Sequence, residues 1–159
     1  MDVPQKVLNS VYESKPEDWK QHANGGGWVY KTAKVESTAY LDLTSIVYGS
    51  AQVSGNARVC GDAQVSGDAR VCGDAQVSGD AWVCGDAQVY GDAWVCGDAW
   101  VYDDAQVYDD AQVSGNARVC GDAQVSGDAW VCGNARVCGD AWVYDDAQVY
   151  GTGSNPSLF

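Results

Sequence analysis

From Val29 to Val149 an aliphatic residue returns at every sixth position, always Val except for Leu41, which makes 21 repeats without an insertion. Through most of this stretch Ala stands two residues before the Val, and the residues flanking the Val are polar or aromatic. Thus Ala51-Gln52-Val53-Ser54-Gly55-Asn56 is followed by Ala57-Arg58-Val59-Cys60-Gly61-Asp62, and so onward. Residues two apart in an extended chain share a face. Ala and Val therefore form one side of a very short strand, and Gln, Arg, Trp, Ser, Cys and Tyr form the other. The Gly-Asp or Gly-Asn step that follows is turn chemistry, since Gly accepts positive φ and Asp or Asn can bond its own backbone. Each repeat is one strand and one corner. A flat antiparallel meander of such strands leaves Ala and Val exposed on one face, and a disordered tract has no need of Val in register. Stacked coils satisfy the backbone between neighbours and enclose the apolar side. Three strands close a triangular coil of 18 residues, so 21 repeats make seven coils. At ~4.8 Å per strand the rod is roughly 34 Å long.

Residues 1–26 break the period and are expected to cap the rod. They predict a short helix, with Ser14 as N-cap, Pro16 early, Glu17 and Asp18 in the first turn and Gly25 past the end. The solenoid is assigned to residues 27–152. Its first repeats are degenerate, with Lys31-Thr32, Ser37-Thr38 and Leu43-Thr44 in place of Gly-Asp. In the tail, residues 153–159, Leu158 and Phe159 either fold back over the last coil or stay disordered.

Reduced to Ala-x-Val-x-Gly-Asp, the motif resembles the YdcK-type β-solenoid repeat, within the hexapeptide-repeat, left-handed β-helix superfamily. The resemblance covers about residues 24–152, and His22-Ala23-Asn24-Gly25-Gly26-Gly27-Trp28-Val29 is similar to that family's lead-in to the solenoid. It implies left-handed coiling, against the right-handed habit of parallel crossovers. The expected fold is all-β: a single-stranded left-handed parallel β-helix of about seven triangular coils, with a short helical or irregular N-terminal cap. The resemblance also implies a loose kinship by fold with acyltransferases, and fold alone says little about function.

Composition narrows the functional classes. A chain of 159 residues with 46% apolar and 11% aromatic content is one folded unit, and a core of Val and Ala is thin. Lys and Arg total 9 against 22 Asp and Glu, a formal charge of −13. Such a surface repels phosphate backbones and anionic membranes, so neither nucleic acid nor membrane is an expected direct partner. Apolar runs are only a few residues long and Met1-Asp2-Val3-Pro4-Gln5-Lys6 lacks a signal-peptide stretch, so a soluble, cytoplasmic protein is expected. The seven cysteines are odd in number without an export signal, which favours reduced thiols.

Catalytic chemistry is poorly represented. Acyltransferases of the resembled superfamily use a histidine as general base; His22 is the one histidine and it lies in the cap segment. No Cys has a His beside it, and Ser54, Ser66, Ser78, Ser114 and Ser126 recur simply as outward residues. The cysteines, at 60, 72, 84, 96, 120, 132 and 138, all follow a Val and so face outward. Only Cys120 and Cys138 fall on the same face of adjacent coils, a spacing that permits a disulfide. Ladder positions without His make a poor metal site, and no metal or cofactor is expected.

Two outward features remain. From residue 49 to 152 there are 16 Asp and 4 Arg, so acids ladder along the corners, with Asp86, Asp103, Asp104, Asp109, Asp110, Asp122, Asp145 and Asp146 as the candidate acidic surface. Aromatic residues also point outward: Trp28, Trp82, Trp94, Trp100, Tyr102 and Tyr108, then Trp130, Trp142, Tyr144 and Tyr150 toward the last coils. Charge-poor aromatic patches are what interfaces bury, and aromatic ladders also stabilise neighbouring coils. Trp82, Trp94, Trp100, Tyr102, Tyr108, Trp130, Trp142 and Tyr144 are the candidate partner-binding set. The expected function is a non-enzymatic scaffold for a protein partner, with self-association into a homo-oligomer. The alternatives are an acidic decoy of a nucleic-acid-binding enzyme, of the kind a phage or mobile element encodes, and an acyltransferase with its base in the cap.

Overall fold

The computed structural model describes residues 2–151 and the strand Ser157–Leu158. Between Trp28 and Gly151 run 21 strands, one for each aliphatic position and most of them two residues long. Every third strand joins the same sheet, which gives three parallel faces. The first face contains Trp82–Val83 paired with Trp100–Val101, the second Gln88–Val89 paired with Gln106–Val107, and the third Trp94–Val95 paired with Gln112–Val113. The register is therefore 18 residues, and the protein is an all-β parallel solenoid of about seven coils.

Backbone bonds tie each coil to the next at two strand points in most repeats and at a third point, in the corner, in many of them. In one repeat the Trp82 N–H donates to the Ala99 carbonyl (2.9 Å), Cys84 N–H to Val101 (3.0 Å) and Asp86 N–H to Asp103 (2.9 Å). The third bond lies in the corner. Asp can bond its own turn through its side chain; at Asp68, Asp74, Asp80, Asp86 and Asp92 the backbone N–H continues the ladder, and the carboxylates of the eight candidate acids stand at the surface. The corner also explains the glycine. Gly67 has φ +69°, and a Cβ there would lie 2.8 Å from the backbone N and O of Gly85 on the next coil. Three corners carry Asp at this position, Asp103, Asp109 and Asp145, with φ of 59°, 59° and 54°. Asp tolerates the left-handed region better than most residues. The Asp103 and Asp109 carboxylates accept the Gly121 and Gly127 N–H groups of the following coil, each at 3.4 Å.

The interior is a column of Ala and Val, almost all without solvent contact from Ala39 to Val137. Two such small residues per strand leave no room for larger groups, and coils stacked on both sides leave no loop that can relax.

The N-terminal segment departs from expectation. The helix predicted after Ser14 is replaced by a single 3-10 turn, Pro16–Asp18, and a strand, Trp19–Gln21, antiparallel to Trp28–Tyr30. Trp19 is buried, and sheet pairing with that burial outweighs helical propensity here. One helical turn forms earlier, at Gln5–Leu8. It packs over the outer side of the first face, where Val7, Trp19, Trp28 and Ile46 form a small second core. Trp28 is thus buried beneath the cap, although its repeat position points outward. Residues 22–27 cover a strand edge of the third face: Gly27 N–H donates to the Leu41 carbonyl and Leu41 N–H to the Asn24 carbonyl, both at 3.0 Å. Gly25, φ +105°, is required there, because a Cβ would meet the Leu41 carbonyl. Of the two fates considered for the tail, Ser157–Leu158 pairs with Arg136–Val137 on the first face, while Phe159 lies outside the described residues.

Val95 is fully buried in a central coil. Val95→Asp places an unpaired carboxylate there at a cost of several kcal/mol, on the order of 3 or more. We expect loss of the β-sheet circular dichroism spectrum or a large fall in melting temperature; a native spectrum and melting point would contradict the inward assignment.

Candidate functional site

With the inner positions filled by Ala and Val, what varies is outside, and the three faces carry different chemistry. The first face holds Trp82, Trp100 and Tyr102. Trp82 and Trp100 pack edge to face with ring centroids 5.2 Å apart, Trp100 meets Tyr102 at 6.4 Å, and the Arg118 guanidinium lies 5.2 Å from the Trp100 ring. These residues satisfy one another across successive coils, apart from the Trp82 indole N–H, which is buried without an acceptor. Trp94 and Trp130 stand on the third face, Trp94 between Gln76 and Gln112, Trp130 against Tyr150 at 6.1 Å. Trp142 and Tyr144 belong to the second face and are 67% and 58% exposed. Tyr108 borders the second face too, stacked on Tyr90 at 5.0 Å with its hydroxyl donating to Gln124 at 3.1 Å. The candidate aromatic residues are divided among three faces, with Trp94 on the face preceding that of Trp100 as the 18-residue period places it, and the group at the last coils lies on two.

The acids are brought together. Asp86, Asp103, Asp104 and Asp122 lie on the corner between the first and second faces, and Asp109, Asp110, Asp145 and Asp146 on the corner between the second and third. All eight candidates flank the second face. Adding Asp68 and Asp140 to the first of these corners and Asp74, Asp92 and Asp128 to the second places 13 of the solenoid's 16 Asp on its two borders. The remaining corner has only Asp62, Asp80 and Asp98, and Asn116 and Asn134 replace Asp there. Asp62 is also paired with Lys6 of the cap. A surface groove runs along the second face, floored by Gln52, Arg70, Gln88, Gln106 and Gln124 and walled by Asp68, Asp86, Asp104 and Asp122. Arg70 is the one cation in its lining.

The candidate catalytic group is held by the chain itself. His22 is buried, with Nδ1 3.2 Å from the Asn24 carbonyl and Nε2 3.1 Å from the Glu36 carbonyl. Both nitrogens are occupied by backbone at the edge of the cap. Among the described residues no group of three or more His, Cys, Asp and Glu side chains gathers as a metal site, and no helix is long and apolar enough to cross a membrane. Cys120 and Cys138 are joined as a disulfide, with Cα atoms 4.6 Å apart, as their spacing allowed. The pair left open by the general preference for reduced thiols is thus bonded. The other five cysteines are free.

Three sheets closing on a column of small apolar residues, with no insertion in the described coils, define a repeat protein whose outer surface is a regular lattice of side chains. The YdcK Beta solenoid repeat model matches residues 51–67, 63–79, 69–85, 75–91, 87–103, 105–121, 111–127, 129–145 and 135–151. The chain belongs to that family. No curated protein and no solved structure matches it.

The internal contacts of the first face separate two kinds of outward tryptophan. Trp100→Gln removes an edge-to-face contact and a cation–π contact and is expected to cost about 1–2 kcal/mol in a denaturant titration, with the fold retained. Trp94→Gln, between two glutamines, is expected within ~0.5 kcal/mol of wild type. Equal effects would remove the distinction.

Proposed function

We propose that the protein is a non-enzymatic binding scaffold whose second face receives a basic protein partner. The observation that carries this reading is the segregation of acids: 13 of 16 solenoid Asp border one face and 3 the opposite corner. Turn formation alone does not require that asymmetry, since Asn serves the same corner at Asn116 and Asn134. The groove offers hydrogen bonds from the glutamines of its floor and negative potential from one wall of carboxylates, Asp68, Asp86, Asp104 and Asp122, and the second carboxylate ladder stands along the opposite border of the same face. That combination suits a strand or helix rich in Lys and Arg. A rigid rod loses little conformational freedom on binding, which favours affinity. Exposed Trp142 and Tyr144 at the end of the same face add apolar anchors of the type that interfaces bury.

A narrower version of the same reading makes the two ladders a substitute for a nucleic-acid backbone, directed at an enzyme that binds one. The unbroken row of Asp68, Asp86, Asp104, Asp122 and Asp140 along one edge motivates it, and the identity of the partner distinguishes the two.

The test pairs two triple variants in a capture experiment at graded salt. Asp86→Asn with Asp104→Asn and Asp122→Asn is expected to weaken capture of a basic partner at least tenfold, about 1.4 kcal/mol, in a salt-dependent way. Asp62→Asn with Asp80→Asn and Asp98→Asn, on the opposite corner, is expected to leave it within twofold. If the captured protein is displaced from its nucleic acid by this chain, the decoy version holds. Equal binding by both triple variants, insensitive to salt, would overturn the proposal.

A further inference from the structure

The cysteines are distributed so that one pair alone can join. In the column after the third-face strands Cys and Ser alternate: Cys60, Ser78, Cys96, Ser114, Cys132. In the column after the first-face strands Tyr102 separates Cys84 from Cys120, and Cys138 then follows directly. Cysteines two coils apart in one column are roughly 9–10 Å apart at the strand spacing, beyond the ~7 Å that a disulfide spans. Cys120 and Cys138 meet the requirement at 4.6 Å. Burial raises the thiol pKa at Cys72, Cys84, Cys96 and Cys132, which lowers their thiolate fraction and slows their reaction.

The bonded pair sits beside the least buried coil. Ala105, Val107, Ala111 and Val113 have no solvent contact, whereas at the equivalent positions two coils on Val143 stays buried at 5% exposure, Ala141 and Val149 are half-buried and Ala147 is exposed. Low burial makes a coil of a repeat protein the place where local opening starts. That coil also carries Asp145, Asp146, Trp142 and Tyr144, the far end of the acid-bordered face.

We propose that Cys120 and Cys138 form a selective thiol–disulfide site, oxidised by a low-molecular-weight disulfide, and that the bond controls the order of the coil running from Arg136 to Gly151. Cys138 is half-buried and Cys120 buried, so exchange begins at Cys138. Its thiolate, after losing a proton, attacks one sulfur of the small disulfide; a mixed disulfide forms and one small thiolate leaves. The Cys120 thiolate then attacks the Cys138 sulfur and expels the second. Two protein thiols give up two electrons and two protons, and one small disulfide becomes two small thiols. Excess small thiol runs the sequence backward. The bond closes one coil, so the strand Arg136–Val137 stays anchored to Arg118–Val119 even when its neighbours open.

The inference deepens the proposed function by governing one end of the same face, but its test reads the fold alone and stands if no partner is found. The full chain is equilibrated with glutathione disulfide or with dithiothreitol, its cross-links are mapped by peptide mass spectrometry, and amide hydrogen exchange is followed in both states. The informative amides donate to the coil in question: Gln124 to Ala141, Ser126 to Val143, Trp130 to Ala147 and Asn134 to Gly151. We expect one cross-link, Cys120–Cys138, and at least tenfold slower exchange of these four amides when it is present, with Trp82 and Gln88 unchanged. Cys138→Ser is expected to behave as the reduced protein under both conditions. Scrambled cross-links, or equal exchange in the two states, would overturn the proposal.

Discussion

Every coil is held by backbone bonds from residue i to the carbonyl of residue i+17 on the next, and everything else in the structure answers to that offset. One residue inserted in a strand turns inner side chains outward and puts the coil before it out of register with the coil after it. The constraint explains why 21 repeats run from Val29 to Val149 without a gap. It also explains the corners, where the ladder continues through Gly-Asp and the next backbone passes too close for a Cβ. Where a corner keeps the positive φ without glycine, the residue is Asp, and at Asp103 and Asp109 the carboxylate returns a bond to the following coil.

With inner positions and corners committed to the frame, outward side chains are nearly free of structural duty. That freedom is used unevenly. The first face consumes its aromatics internally, in the cap cluster at Trp28 and in the Trp82, Trp100 and Arg118 ladder. The second face gathers like charges. Stacked carboxylates one strand spacing apart repel, weakly in water and less in salt, while the backbone ladder holds them in place. Apart from the bonds that Asp103 and Asp109 return to the next coil, their clustering adds little to cohesion of the rod, and so directs attention to what approaches from outside. The Cys120–Cys138 bond bears on the same face, because the coil it anchors is the one that completes the acidic border.

Much of the fold was legible because a six-residue period with Val in register admits few three-dimensional solutions. The parallel pairing, the inner column and the Cys120–Cys138 pair all follow from position modulo 18. The cap was not legible in the same way. Ser14, Pro16 and Glu17 are sound helix signals, but Trp19 gains more by joining the sheet under Val7, a long-range contact that local propensity does not encode. The burial of Trp28 depended on that same contact. The segregation of Asp was available to the arithmetic that placed the cysteines; it needed the corners, rather than the strands, to be sorted by face. The pairing of Trp82 with Trp100, and the place of Trp94 on the preceding face of the same coil, follow from that same arithmetic.

The most direct test of the acidic face as a binding surface is carboxyl footprinting of the complex, in which each Asp is labelled with carbodiimide and an amine in the presence and absence of the partner. A partner seated on the second face protects Asp86, Asp104 and Asp122 together with Asp92, Asp110 and Asp128, and leaves Asp62, Asp80 and Asp98 as reactive as in the free protein. Protection of that last trio instead, or equal protection of all three corners, would contradict it.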